Sequence, residues 1–156
     1  MKDLDKELPV FETLFKEWFL NNNHAISFCL QMLKVIHVWD DLIDKDNELD
    51  DEDINEAFTN LMVSIPLNPF YQSNQIHIAP MMHNIILKWH TANVFEKEQK
   101  KNDIEKAYML RAELYQLFVL CATLIGGRDW GRTVSVPIWR AYGESVKELE
   151  KEIKNA

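Results

Sequence analysis

Between residues 37 and 44 the chain reads His37-Val38-Trp39-Asp40-Asp41-Leu42-Ile43-Asp44. On a helix at about 100° per residue, with His37 at zero, Asp41 falls near +40°, Asp44 near −20° and Asp40 near −60°. The same arc carries Ile26, Leu30 and Leu33 upstream, and the opposite face carries Ser27, Gln31, Lys34 and Lys45. A core-facing stripe that turns polar at its end is how a pocket mouth is lined. Three carboxylates there repel one another. They also sit near a helix C-terminus, where each anion is disfavoured by about 0.3–1 kcal/mol. A divalent cation relieves both costs, and Mg²⁺ takes oxygen ligands, commonly one or two carboxylates with substrate phosphates. The expectation is that Asp40, Asp41 and Asp44 hold Mg²⁺, with His37 orienting a carboxylate or acting as a general base. Two other arrangements fit the same residues. In one, the helix ends early and the acids face water; in the other, they form a structural ion-pair network.

Asp40-Asp41-Leu42-Ile43-Asp44 resembles the first aspartate-rich motif, DDxxD, of the class I isoprenoid synthases. The likeness covers Val38 to Asn47 and a shared all-helical character. It implies that the motif closes a helix facing a bundle interior, and that Asp40, Asp41 and Asp44 hold Mg²⁺ ions that bind a prenyl diphosphate. No second DDxxD and no (N/D)DxxSxxxE motif follows, so the resemblance does not extend to prenyl transfer.

Other metal chemistries fit less well. Asp44-x-Asp46-x-Glu48 starts like a calcium loop, but such a loop needs Gly at its sixth position and Glu at its twelfth. Leu49 and Asn55 stand there. No Glu-x-x-His pair suggests a di-iron bundle, no paired ExxE or ExxD run suggests a helical pyrophosphatase, and no Cys-x-x-Cys suggests a thiolate zinc site. His83 and His90 share a helix face with Ile86, Leu87 and Val94, and core or interface histidines are the favoured reading there. His24 and His77 carry no assigned role.

A second half-site is sought further along. Glu113 shares an arc with Leu110, Leu117, Leu120 and Leu124. A glutamate in an apolar stripe is paired, protonated or metal-bound. It is the best acidic partner for the cluster, unless Lys106 and Gln116 mark a wetter end of its helix. All four arginines follow residue 110, with Arg128, Arg132 and Arg140 close together. Guanidinium forks and helix N-termini both favour phosphate. Arg128 and Arg132 are therefore expected to bind it, the alternative being plain ion pairing or capping. Trp130 and Trp139 are expected to pack.

Five or six helices must position these groups. The first runs from about Pro9 to Leu20, with Pro9 in its first turn and Phe11, Leu14, Phe15, Trp18 and Phe19 at helical spacing. Asn21-Asn22-Asn23 breaks it and caps a second helix from about His24 to Asp44. A short third spans about Asp53 to Ser64, with Asp53 and Glu56 as a capping pair. Residues 65–79, with Pro66 and Pro69, suggest a loop or lid. Pro80 then opens a fourth helix to about Lys100. Asn102 and Glu105 cap a fifth, nearly all-apolar helix ending at Gly126-Gly127. A loop through Arg132 leads to a last amphipathic helix opened by Pro137, with Ile138, Tyr142, Val146, Leu149 and Ile153 inward. The fold class is all-α, a single-domain antiparallel bundle.

Composition narrows the function class. The 156 residues carry 25 acids and 17 bases, a formal net charge of −8. Ten of those acids and one base, Lys45, lie between Asp40 and Glu56, so the rest of the chain is close to neutral. Nucleic acid is not an expected partner. No run of 18 or more apolar residues is present and the N-terminus is charged, so neither a membrane span nor a signal peptide is expected. Cys29 and Cys121 lie in apolar helical patterns and suit buried thiols in a reducing cytoplasm. The leading reading is a Mg²⁺-dependent enzyme acting on a phosphorylated or diphosphate small molecule. The alternative is a non-catalytic helical protein working through a protein–protein or homo-oligomer interface, in the simplest case a homodimer, formed by the aromatic-rich first helix or the last one.

Overall fold

The computed structural model describes residues 4–45, 47–143 and 145–155, and Asp46 of the calcium-like loop lies outside them. The chain is all-α: eight α-helical segments and one π-turn, and no strand, occur among the described residues. It divides into two compact units, Met1–Gln75 and Ile76–Ala156.

In the first unit, α1 (Leu4–Trp18) packs on α2 (Asn23–Asp44). Helix α1 begins earlier than expected, and Pro9 lies inside it. Its stripe Phe11, Phe15, Trp18 and Phe19 is buried, with Phe15 and Phe19 stacked at 5.0 Å. That core consumes the aromatic face that the interface reading had assigned to this helix. Asn21 and Leu20 turn left-handed and end the helix. Asn22 then caps α2 as expected, accepting from the Ala25 N–H at 3.1 Å.

Helix α3 (Asp51–Thr59) is capped by Asp50 and starts two residues before the expected Asp53. Asp50 accepts from the Asp53 N–H at 2.8 Å, and Asp53 accepts from the Asp50 N–H at 3.4 Å. The capping box is therefore Asp50 with Asp53, three residues upstream of the expected Asp53–Glu56 pair. Asp51, Glu52 and Asp53 occupy the first turn, where the helix dipole favours anions. Part of the acidic segment is thus explained by helix initiation. The rod continues through a π-turn, Asn60–Ser64, into α4 (Ile65–Leu67), and both pack on α2.

No loop covers residues 65–79. Helix α5 (Pro69–Glu98) follows α4 after one residue, Asn68. That side chain is buried and hydrogen-bonded through both its oxygen and its nitrogen. Its carbonyl oxygen accepts from the Phe70 and Tyr71 N–H groups at 2.9 and 3.2 Å, and its amide donates to the His24 carbonyl at 2.9 Å. Pro69 opens α5, where a missing N–H leaves no bond unmade, and Pro66 lies in the last turn of the preceding rod. Pro80 does not open one; α5 runs through it.

In the second unit, α6 (Asp103–Arg111), α7 (Leu114–Arg140) and α8 (Val146–Asn155) accompany the later part of α5. Asn102 makes no side-chain cap; instead Asp103 accepts from the Lys100 N–H at 3.1 Å. Leu149 of α8 is buried against Ala92 and Ala107, with Phe95, Ile104, Tyr108, Leu110 and Ile153 around them, so the last helix also spends its apolar face internally. Ser145 and Glu148 form its capping pair, at 2.8 and 3.3 Å. The glycine break falls where expected, because Gly127 has φ 80° and ψ 178°, a conformation open essentially to glycine alone. The residues after it are helical rather than a loop, and Pro137 lies inside that arm. Gly131 lies so close to Thr123 that a Cβ there would stand 2.1 Å from Thr123 Oγ1. Taken as one length, Asp103–Arg140 is long and apolar enough to cross a membrane by length and composition alone. The core helix of a soluble protein meets the same criterion.

Candidate functional site

Helix α2 carries its helical geometry through Asp44, so the four groups of the cluster share one helix end. Lys45 closes it in the left-handed conformation, its N–H donating to the Asp41 carbonyl at 2.9 Å. Asp41 is buried at 6% exposure, and His37, Asp40 and Asp44 are half-buried. Helix α2 therefore does not end early, while Asp40 and Asp44 keep part of their surface in water. Asn47 returns past the helix end and donates its amide to Asp41 Oδ1 at 2.7 Å. Sequence reading missed this contact, although an Asn shortly after a helix end is a common capping signal.

His37 lies one turn before Asp41. Burial pushes its pKa below the ordinary 6.5, and the nearby charges of Asp41 and Glu7 work in the opposite direction. A neutral imidazole is the form suited to accept a proton or to orient a carboxylate. The donor set offered by Asp40, Asp41 and Asp44 is all oxygen, which is the chemistry Mg²⁺ takes. Among the described residues, no three His, Cys, Asp or Glu side chains stand together as a ready-made metal cage. A cation here would be held by a subset of the carboxylates, with other ligands completing its shell.

The remaining expected residues belong to the second unit. Glu113 is half-buried and pairs with Lys88, Oε2 to Nζ 2.8 Å. This gives the glutamate in the apolar stripe a cationic partner. Nearby, Arg111 holds Glu96 with two parallel hydrogen bonds, Nε to Oε1 at 2.5 Å and Nη2 to Oε2 at 2.8 Å. Arg128 and Arg132 stand on the exposed surface of the helical arm after Gly127, one turn apart, and Arg128 lies 3.6 Å from Asp129. Trp130 packs over Gly126, and Trp139 lies 6.5 Å from the Tyr115 ring, so both indoles pack. His83 and His90 share an exposed face of α5 with Ile86, Leu87 and Val94, while Ile78, Ile85, Trp89 and Ala92 form the buried face. The histidine face is therefore not a core face. Cys29 and Cys121 are buried and form no disulfide, as expected.

No protein-family model, no curated protein and no solved structure matches this chain.

Proposed function

We propose that the protein binds a divalent cation, Mg²⁺ by its donor set, at the end of α2, and through it a diphosphate or other phosphorylated small molecule. One observation carries this reading: Asp41 is buried and Asp40 and Asp44 are half-buried at a helix C-terminus, where carboxylates are electrostatically disfavoured. A subset of Asp40, Asp41 and Asp44 would hold the ion, with phosphate and water oxygens completing its shell. When bound, Mg²⁺ neutralises phosphate charge and polarises the bond to a phosphate leaving group. His37, whose pKa burial lowers, would position a carboxylate or accept a proton. The phosphate-binding role of Arg128 and Arg132 rests on guanidinium chemistry alone.

Thermal melts test the proposal. At a free Mg²⁺ concentration about tenfold above Kd, binding to the native state adds about 1.4 kcal/mol, a rise of about 3–6 °C for a chain of this size. Inorganic pyrophosphate with Mg²⁺ should raise the midpoint further than either alone. The shift should vanish in Asp40→Asn/Asp44→Asn. Absence of any shift at millimolar Mg²⁺, or a shift unchanged in that variant, overturns the reading.

A second reading is favoured by a separate observation. Phe58, Leu61, Met62, Val63 and Leu67 are all exposed on the single rod formed by α3, the π-turn and α4, Met62 at 71%. Such a cluster suits a protein–protein or homo-oligomer interface. Sedimentation of the protein beside Met62→Lys decides it: a concentration-dependent dimer abolished by the lysine supports the reading, and a strict monomer opposes self-association.

A further inference from the structure

The first unit carries an apolar face that its own core leaves uncovered. In the rod of α3, the π-turn and α4, Ala57, Asn60 and Ile65 are buried on the side that packs on α2. On the outward side Phe58, Leu61, Met62, Val63 and Leu67 are 44–71% exposed. Residues four apart lie one above the other on a helix, so Phe58 and Met62 share one line along the rod, and Val63 and Leu67 the next. A contiguous apolar face of this kind marks a place where another surface docks.

The charges beside the face set the kind of partner. Residues 48–56 hold six acids and no base. Asp50 and Asp53 cap α3, and Glu56 holds Lys34 at 2.6 Å. Asp51 and Glu52 are both exposed, and neither forms an ion pair among the described residues. Asp51 stands seven residues before Phe58, on the line that continues to Met62, and Glu52 seven before Thr59, on the line that continues to Val63. The outward face is thus acidic at its N-terminal end and apolar along the rest. Its complement is a helix with an apolar side flanked by lysine or arginine. A second copy of this chain matches it poorly, because it brings the same acids and a net charge of −8.

We propose that this face is the docking site for a basic amphipathic helix of a partner protein, its apolar side laid along Phe58, Met62, Val63 and Leu67 and its cations beside Asp51 and Glu52. The proposal rests on the interface reading of the rod and supplies its partner. From Asp51 to Leu67 the rod is about 25 Å long, so a partner helix of about 17 residues spans it.

The probe is a fluorescein-labelled peptide of that length, with leucines on one helical side and lysines on the other, titrated with the full chain and followed by fluorescence anisotropy. Saturable binding that weakens with added salt is expected. A peptide with glutamate in place of lysine should not bind. One with the same residues shuffled, so that no apolar side forms, should bind at least about tenfold more weakly. Phe58→Ser/Met62→Ser, checked as folded by circular dichroism, should weaken the lysine peptide at least about tenfold. Asp51→Asn/Glu52→Gln should weaken it and flatten its salt dependence. Equal binding of the glutamate peptide, or affinity unchanged in both double variants, overturns the proposal. Absence of lysine-peptide binding also overturns it, and the fate of the interface reading is then read separately. A dimer lost in Met62→Lys gives the face to a second copy, adsorption to phosphatidylcholine vesicles gives it to lipid, and a strict monomer that binds neither ends the interface reading as well.

Discussion

Replacing Arg111 by Met should unfold the second unit more easily than any surface charge change in this protein. The guanidinium makes two parallel hydrogen bonds to Glu96, and the two side chains are only 18% and 13% exposed. Breaking a buried pair by removing one partner costs about 3–5 kcal/mol, because the other charge stays buried. An exposed pair is worth at most about 1 kcal/mol. With both side chains under one-fifth exposed, the loss in Arg111→Met should be about 2–4 kcal/mol. The double variant Arg111→Met/Glu96→Leu removes both charges and keeps the volume. It should recover most of that loss, since apolar replacement of a whole buried pair is often neutral or better. Urea unfolding followed by far-ultraviolet circular dichroism reads the difference as a change in midpoint at constant slope. The coupling between the two sites should exceed about 1.5 kcal/mol. If Arg111→Met falls within about 0.5 kcal/mol of the parent, or if the double variant is as unstable as the single, the pair is no stronger than a surface contact and the reasoning fails.

Other substitutions probe single features. Glu113→Gln keeps a hydrogen bond to Lys88 and loses the charge. Because this pair is partly solvated, urea melts should register only about 0.5–1 kcal/mol, and a Mg²⁺-induced shift in melting should survive. Gly131→Ala forces a Cβ toward Thr123 and should cost about 1–3 kcal/mol in the same melts, unlike an alanine at exposed Gly143. Gly127→Ala strains a backbone that L side chains rarely adopt and should lose about 1–3 kcal/mol. For His37, burial lowers the folded pKa below 6.5. The unfolded chain then binds the proton more readily, so this contribution is full above pH 6.5 and is lost as pH falls from there through the folded pKa. In metal-free buffer, His37→Gln should flatten the fall in melting temperature over that acid range; an unchanged slope would refute the assignment.

Much of the fold follows from local pattern. The apolar spacing of Phe11, Phe15, Trp18 and Phe19, the Asn22 cap and the run to Asp44 place α1 and α2 within a few residues, because each signal acts over one or two turns. The buried thiols and the glycine break at Gly127 are local in the same sense. Proline was the main source of error. Pro66 and Pro69 read as punctuation of a loop, yet Pro66 lies in the last turn of one helical rod and Pro69 opens α5, and Asn68 between them is anchored by its amide meeting the His24 carbonyl, 44 residues away in sequence. Pro80 and Pro137 erred the other way, tolerated inside helices whose ends are set by other contacts.

The candidate site divides along the same line. Residue type and helical spacing alone gathered His37, Asp40, Asp41 and Asp44 on one arc, because the helix period is a property of the backbone. How deeply each lies was decided by tertiary packing: Asp41 buried, its neighbours half-buried, and Asn47 folded back onto Asp41. Glu113 shows the same split. Its place in an apolar stripe demanded a partner, and only the folding of α5 in the second unit supplied Lys88. Arg128 and Arg132 clustered in sequence, but the helical arm after Gly127 holds them on its open surface. Sequence determined which charges exist and which share a face; the packing of helices determined which of them water still reaches.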